Sequence, residues 1–153
     1  GCVFFSTASS MLPYCEISIP PAAKRSRRQL QGSFPERAML GFGTLELSGS
    51  ECYSAVRAAL EAGVRHIDTA QSYQNAEEVS RAVRDSKVPR SEIYLATKLS
   101  SIDLSEEKAY AELEAELDRL GSNSYADLCY LHFPSQDSLA PWRALERLHE
   151  RGR

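Results

Sequence analysis

The chain predicts an α/β fold with a parallel sheet, and three features of residues 39–153 point to it. Strand-like and helix-like segments alternate four times, one strand–helix unit every ~29 residues on average. Each helical segment is bracketed by a capping residue, a proline or a glycine of the kind that starts or ends helices. Polar side chains also end three successive strands: Asp68, Lys98 and His132. A strand–helix–strand connection returns the chain to the same end of the sheet, so four consecutive units impose parallel strands. Two architectures share the pattern, an open doubly wound sheet and part of a closed barrel. Eight units of this length would total about 230 residues, near the roughly 250 of a complete (β/α)8 barrel. The spacing suits the first four βα units of a TIM barrel.

The elements follow in order. Ala38-Met39-Leu40 leads into Gly41-Phe42-Gly43-Thr44, which reads as a tight strand-to-helix turn. Ser50 is a plausible cap for a first helix with Val56, Ala59 and Leu60 on one face, and Gly63 sits where a C′ glycine belongs. Val64–Thr69 is the second strand. Asn75, with Glu78 three positions on, opens a second helix with Val79, Ala82 and Val83 inward. Ile93–Leu99 is the third strand. Ser105 caps a third helix carrying Tyr110, Leu113, Leu117 and Leu120 and closed by Gly121. Tyr125–Phe133 is the fourth strand, and Pro141 suits the first turn of a fourth helix with Trp142, Leu145 and Leu148 on one side.

Composition narrows the function classes. With 42% hydrophobic and 25% charged residues the chain belongs among globular proteins. No apolar run approaches the roughly 20 residues that span a bilayer, so no membrane role is expected. Residues 39–153 hold 13 basic and 19 acidic side chains, a balance that offers nucleic-acid phosphates no general attraction. Four scattered cysteines without a C-x-x-C pair read as free thiols in a reducing, cytoplasmic compartment. Three histidines without ligand spacing give no metal signature. Residues 1–38 differ in character: five basic side chains against two acids, adjacent prolines at 20 and 21, and the cluster Lys24-Arg25-Ser26-Arg27-Arg28. They read as an irregular or disordered leader, and their composition also suits organelle targeting or a nuclear-import signal.

In parallel βα folds the carboxyl ends of the strands share one face, where catalytic groups gather. Asp68, Lys98 and His132 would meet there, with Tyr73 in the loop above. Taken singly each has an ordinary reading: a helix cap, a solvated lysine, a core histidine, a surface tyrosine. At equivalent ends of consecutive strands they favour a site. Gly41-Phe42-Gly43 followed by Asp68 imitates a dinucleotide-binding fingerprint, but Glu46 stands where a third small residue is needed.

Gly41-Phe42-Gly43-Thr44, Arg65-His66-Ile67-Asp68-Thr69-Ala70, Tyr73, Asn75, Thr97-Lys98-Leu99, Tyr125-Ala126-Asp127-Leu128-Cys129-Tyr130-Leu131-His132-Phe133-Pro134 and Trp142-Arg143-Ala144-Leu145-Glu146 together resemble the aldo-keto reductase family. The match is collinear over residues 39–153 and absent from residues 1–38, where the family has a hairpin closing the barrel floor. Ala76 and Ser80 depart from the pattern without touching the expected chemistry. The resemblance implies the N-terminal half of a (β/α)8 barrel and an NADP(H)-dependent oxidoreductase that reduces small aldehydes or ketones. It implies a catalytic tetrad of Asp68, Tyr73, Lys98 and His132, with Gly43, Thr44, Leu45 and Asp68 at the cofactor. Tyr73 would protonate the developing alkoxide. A phenol is a reluctant acid at neutral pH, so Lys98 would favour the phenolate and Asp68 would hold Lys98. His132 would orient the carbonyl. The family's strands five to eight, which carry most contacts to the cofactor phosphates, have no counterpart in the chain. Four strands leave half of a barrel's interior layers unfilled and two sheet edges open, so weak stability, self-association through those edges and poor catalysis are expected. A regulatory binding subunit and a non-catalytic fragment are the alternatives.

Overall fold

The apolar stripes of the sequence become the buried faces of four helices. Cys52, Val56, Ala59 and Leu60 are buried in α1 (Gly49–Glu61), and Ala76, Val79 and Ala82 in α2 (Ala76–Asp85). Ala109, Tyr110, Leu113 and Leu117 are buried in α3 (Glu106–Arg119), and Pro141, Ala144, Leu145 and Leu148 in α4 (Leu139–Glu150). Ser105 caps α3 as expected, its hydroxyl accepting from the Lys108 amide. The cap of α1 is Ser48 rather than Ser50. Gly63 follows the α1 cap with φ +92°, a left-handed conformation that a side chain would strain.

The computed structural model describes residues 3–5, 40–100, 103–121, 125–134 and 137–153. Its sheet has the order β1 (Val3–Phe5), β2 (Leu40–Gly43), β3 (His66–Asp68), β4 (Tyr94–Leu99) and β5 (Leu128–Leu131). The strands β2 to β5 pair in parallel, each separated from the next by a helix, the arrangement the alternating pattern predicts. One element was not anticipated. Val3–Phe5, inside the segment read as an irregular leader, pairs antiparallel with β2, so the sheet ends on β1 and β5 rather than on β2 and β5. The cluster Lys24–Arg28 and the rest of the leader lie outside the described residues.

The strands are shorter than the apolar runs that announce them, and the first is displaced. Gly41 and Gly43 are strand residues, and the turn falls at Leu45 and Glu46. Gly41 is needed because a Cβ there would lie 2.9 Å from Nδ1 of His66 on the neighbouring strand. Alternation along the strands divides the sheet into two faces. Ile67, Leu95 and Leu99 pack under the helices, with Cys129 and Leu131 against the same core. Asp68, Lys98, Tyr130 and His132 fall on the opposite face.

One buried group works against the core. Glu116, on the sheet side of α3, is 2% exposed, and its Oε1 has no hydrogen-bond partner among the described residues. Only the half-exposed guanidinium of Arg119, 3.5 Å from Oε2, offsets the desolvation that holds this carboxyl above the usual carboxylate range. A raised folded-state value means that the stability linked to this group is fully present in acid and lost as pH rises through that value. Glu116→Gln should therefore stabilise the chain by about 1–3 kcal/mol near neutral pH. The gain should vanish in acid below the unfolded carboxyl value of about 4.3. Urea midpoints of both proteins across this range measure it, and a gain independent of pH would contradict it.

Candidate active site

The strands deliver their polar ends to one rim through the register. Asp68 closes β3 opposite Ala96, Lys98 lies one inward-facing position further along β4 opposite Tyr130, and His132 follows β5 with its amide bonded to Leu99 O at 2.9 Å. Tyr73 ends a short 3-10 turn, Gln71–Tyr73, that folds back over this rim and closes with Gln74 in a left-handed conformation.

The side chains converge. Lys98 Nζ donates to Asp68 Oδ2 at 2.5 Å, to Thr69 O at 2.9 Å and to the Tyr73 hydroxyl at 3.4 Å. The ammonium thus spends its three protons on a carboxylate, a carbonyl and a phenol oxygen. The pair is well shielded, with side-chain exposures of 7% for Lys98 and 16% for Asp68. His132 stands beside Tyr73, their ring centroids 5.8 Å apart in an edge-on arrangement, and stacks on Phe133 at 4.3 Å. Burial, and then the Lys98 ammonium, hold the imidazole below its ordinary value against the opposing pull of Asp68. At neutral pH the ring is a neutral hydrogen-bonding group rather than a cation.

Sequence reasoning missed a second phenol. Tyr130 donates to Asp68 Oδ1 at 3.0 Å, and burial together with that carboxylate raises its hydroxyl far above the usual tyrosine range. The signal was present, since Tyr130 lies two residues before His132 and must share its face. Of the two phenols, one faces the ammonium and the other the carboxylate.

Asn75 was also read too simply. It occupies the cap position of α2, but its side chain makes no cap hydrogen bond. Its fully buried amide donates to Thr44 O and Leu47 O, each at 2.9 Å, and accepts from the Thr69 hydroxyl at 2.9 Å. One side chain thereby ties the loop after β2 to the end of β3. Asn75→Ala takes this partner from the buried Leu47 carbonyl and the Thr69 hydroxyl, whereas Thr44 O keeps the Leu47 amide. A loss of about 2–4 kcal/mol is therefore expected, at roughly 1–3 kcal/mol for each unsatisfied group with partial relaxation. Chemical denaturation measures it, and a change below ~1 kcal/mol would contradict this reading.

The residues expected at a cofactor divide into two kinds. Thr44 is fully buried, with its hydroxyl 3.3 Å from Asp68 O and 3.5 Å from Asn75 Oδ1, so it shapes the loop from within. Gly43 sits at the end of β2 in register with Asp68, and both Asp68 oxygens are already engaged. Leu45, 51% exposed, is the group that reaches outward. With Glu46, Ser72, Tyr73, His132 and Phe133 it lines a cavity of about 460 Å³. A larger space of about 670 Å³, lined by Gln71, Ser100, Glu77, Glu78 and Glu116 among others, is bordered by none of Asp68, Tyr73, Lys98 or His132, so the smaller cavity is the one the chemistry faces. No group of three or more metal-ligating side chains converges among the described residues. No helix among them is long and apolar enough to cross a membrane.

A parallel βα sheet that gathers its polar side chains at the carboxyl rim has the arrangement of the first half of a (β/α)8 barrel. The comparisons agree. Residues 39–153 match the model of the aldo/keto reductase family, and the chain belongs to that family. It is 43% identical over 117 residues to an aldo-keto reductase of Mycolicibacterium smegmatis, covering 74% of this chain and 41% of that one. It is 38% identical over 117 residues to morphine 6-dehydrogenase of Pseudomonas putida, covering 74% and 39%. Among solved structures it resembles an aldo-keto reductase from a Medee basin deep-sea metagenome library, with TM-score 0.68, 46% identity and coverage of 73% and 42%. It also resembles the Bombyx mori aldo-keto reductase in complex with NADP, with TM-score 0.64, 30% identity and coverage of 73% and 43%. The β2-to-α4 region is thus the first half of a TIM-barrel fold, and the chain spans about two fifths of the length of these relatives.

Proposed function

We propose that the chain carries the proton-transfer side of a nicotinamide-dependent carbonyl reductase acting on small aldehydes or ketones. The observation that supports it most is the Tyr73 hydroxyl resting on an ammonium that is itself clamped by Asp68 and Thr69. NADP(H) is the proposed cofactor, in keeping with the NADP bound by the silkworm relative. The residues present fit its nicotinamide end: exposed Leu45 offers an apolar surface beside Tyr73 and His132, and Gly43 adds no bulk at the end of β2. No lysine or arginine lines this cavity among the described residues, so contacts to the cofactor phosphates fall to other parts of a complete barrel.

When bound, the reduced nicotinamide supplies a hydride to the carbonyl carbon. The chain's own residues handle the oxygen. Tyr73 gives its hydroxyl proton to the oxygen as negative charge develops, leaving a phenolate that solvent reprotonates. Lys98 stabilises that phenolate, and Asp68 keeps the ammonium in place. His132, neutral, donates a hydrogen bond to the same oxygen. Tyr130, held by the carboxylate, keeps its proton and serves to orient Asp68.

Nicotinamide fluorescence tests the cofactor half of this reading. The chain alone is expected to bind NADPH weakly, and the same chain continued by the second half of a homologous barrel to bind it saturably. Failure of the continued protein to bind would overturn the reading.

A further inference from the structure

An imidazole that donates to a carbonyl oxygen must carry its proton on the nitrogen facing that oxygen, and a neutral ring has one N–H to place. His132 Nδ1 lies 3.1 Å from Oγ of Ser100, the residue immediately after β4. The same Oγ accepts the backbone N–H of Ser72 at 3.1 Å. A hydroxyl has one proton and two lone pairs. The Ser72 amide occupies one lone pair and takes no proton in return. If Nδ1 were the protonated nitrogen it would fill the second lone pair, and the hydroxyl proton would have no acceptor among the described residues. If Nδ1 is bare, it accepts that proton and all three groups are satisfied.

We propose that Ser100 is a positioning residue that fixes His132 as the Nε2–H tautomer and so presents a hydrogen-bond donor, not a lone pair, to the substrate oxygen. The consequence for catalysis rests on the carbonyl-reductase reading, whereas the tautomer does not. Nε2 makes no hydrogen bond to any described residue, and His132 lines the cavity beside Tyr73. Phe133 stacked on one face and Tyr73 edge-on leave the ring little freedom to turn over. Ser100 is anchored in turn. Its backbone N–H donates to Gln71 Oε1 at 3.2 Å, and Gln71 Nε2 donates to Glu112 Oε2 on α3 at 2.7 Å. A chain of hydrogen bonds therefore runs from the helix layer through the 3-10 turn to the imidazole. The arrangement depends on a small hydroxyl at position 100. Alanine would remove the donor, and threonine would keep it.

Long-range proton–nitrogen NMR correlation on the chain, labelled with 15N in histidine, reads the two ring nitrogens directly. The three histidines are distinguished by the signals lost in His132→Gln. In the wild-type chain at neutral pH, His132 should show a protonated Nε2 and a bare Nδ1 at the shift of an accepting nitrogen. Ser100→Ala should move both nitrogens toward the values of a tautomer mixture, and Ser100→Thr should restore the wild-type pattern. A protonated Nδ1 in the wild type overturns the proposal, as does a folded Ser100→Ala protein with unchanged ring shifts. Should Ser100→Ala not fold, Ser100→Cys, whose thiol is a weak donor, takes its place with the same two outcomes. The readout involves neither cofactor nor turnover. A correct tautomer in a protein that reduces no carbonyl would fault the functional reading alone.

Discussion

Replacing Asp68 with alanine should cost the chain about 3–5 kcal/mol, more than replacing Asp68 and Lys98 together. The reason is an asymmetry of burial. With the carboxylate gone, an ammonium whose side chain is 7% exposed keeps the Thr69 carbonyl, a long contact to the Tyr73 hydroxyl and the faces of two tyrosine rings, but no opposite charge. Tyr130 also loses the acceptor of its hydroxyl proton. In the double variant Asp68→Ala with Lys98→Met no charge is left behind, and the methionine refills most of the lysine's volume. Urea denaturation of the wild type, both single variants and the double variant gives the coupling energy. Equal and additive single losses would show that the pair is solvated rather than buried.

The second large effect is on catalysis. In the chain continued to a complete barrel, Tyr73→Phe should lower carbonyl-dependent NADPH oxidation by about 10²–10⁴-fold, the usual contribution of a positioned general acid. The ring, its edge contact with His132 and its place beneath Lys98 all survive the change, and only the transferable proton is lost. Stability should shift by less than about 1 kcal/mol, since the phenol oxygen receives a hydrogen bond of 3.4 Å at the half-buried rim. A fall in kcat with KM nearly constant separates lost proton transfer from lost binding.

The helices were legible because their apolar residues recur with the helical period and nothing else in the chain competes with that signal. Leu113, Leu117 and Leu120 are buried where the pattern placed them. Strand ends were not legible. Tyr125 and Phe133 extend the apolar run of β5, yet Tyr125 serves as the platform for the Arg90 guanidinium at 4.2 Å and Phe133 stacks on His132, so neither belongs to the strand. The glycines at 41 and 43 carried the usual sign of a turn. At Gly41 the reason is the His66 imidazole on the next strand, a contact that no local pattern encodes.

The site was half legible. Asp68, Lys98 and His132 could be read because parallel strands bring their ends to one rim, and the structure joins Asp68, Lys98 and Tyr73 by hydrogen bonds. His132 joins them through ring contact with Tyr73 instead. Asn75 looked like a helix cap because capping and loop-tying use the same side chain, and only the path of residues 44–47 decides between them. Ser100 was beyond reach, since its partner lies 32 residues away and the contact depends on how two loops meet.

Two phenols flank one lysine–carboxylate pair, and the sharpest test asks which of them gives up a proton. NADPH consumption after addition of an aldehyde can be followed in the completed barrel bearing wild-type, Tyr73→Phe or Tyr130→Phe sequence. Collapse of turnover with Tyr73→Phe and a fall of no more than about tenfold with Tyr130→Phe is the expected outcome. Turnover that survives Tyr73→Phe and collapses with Tyr130→Phe would contradict it.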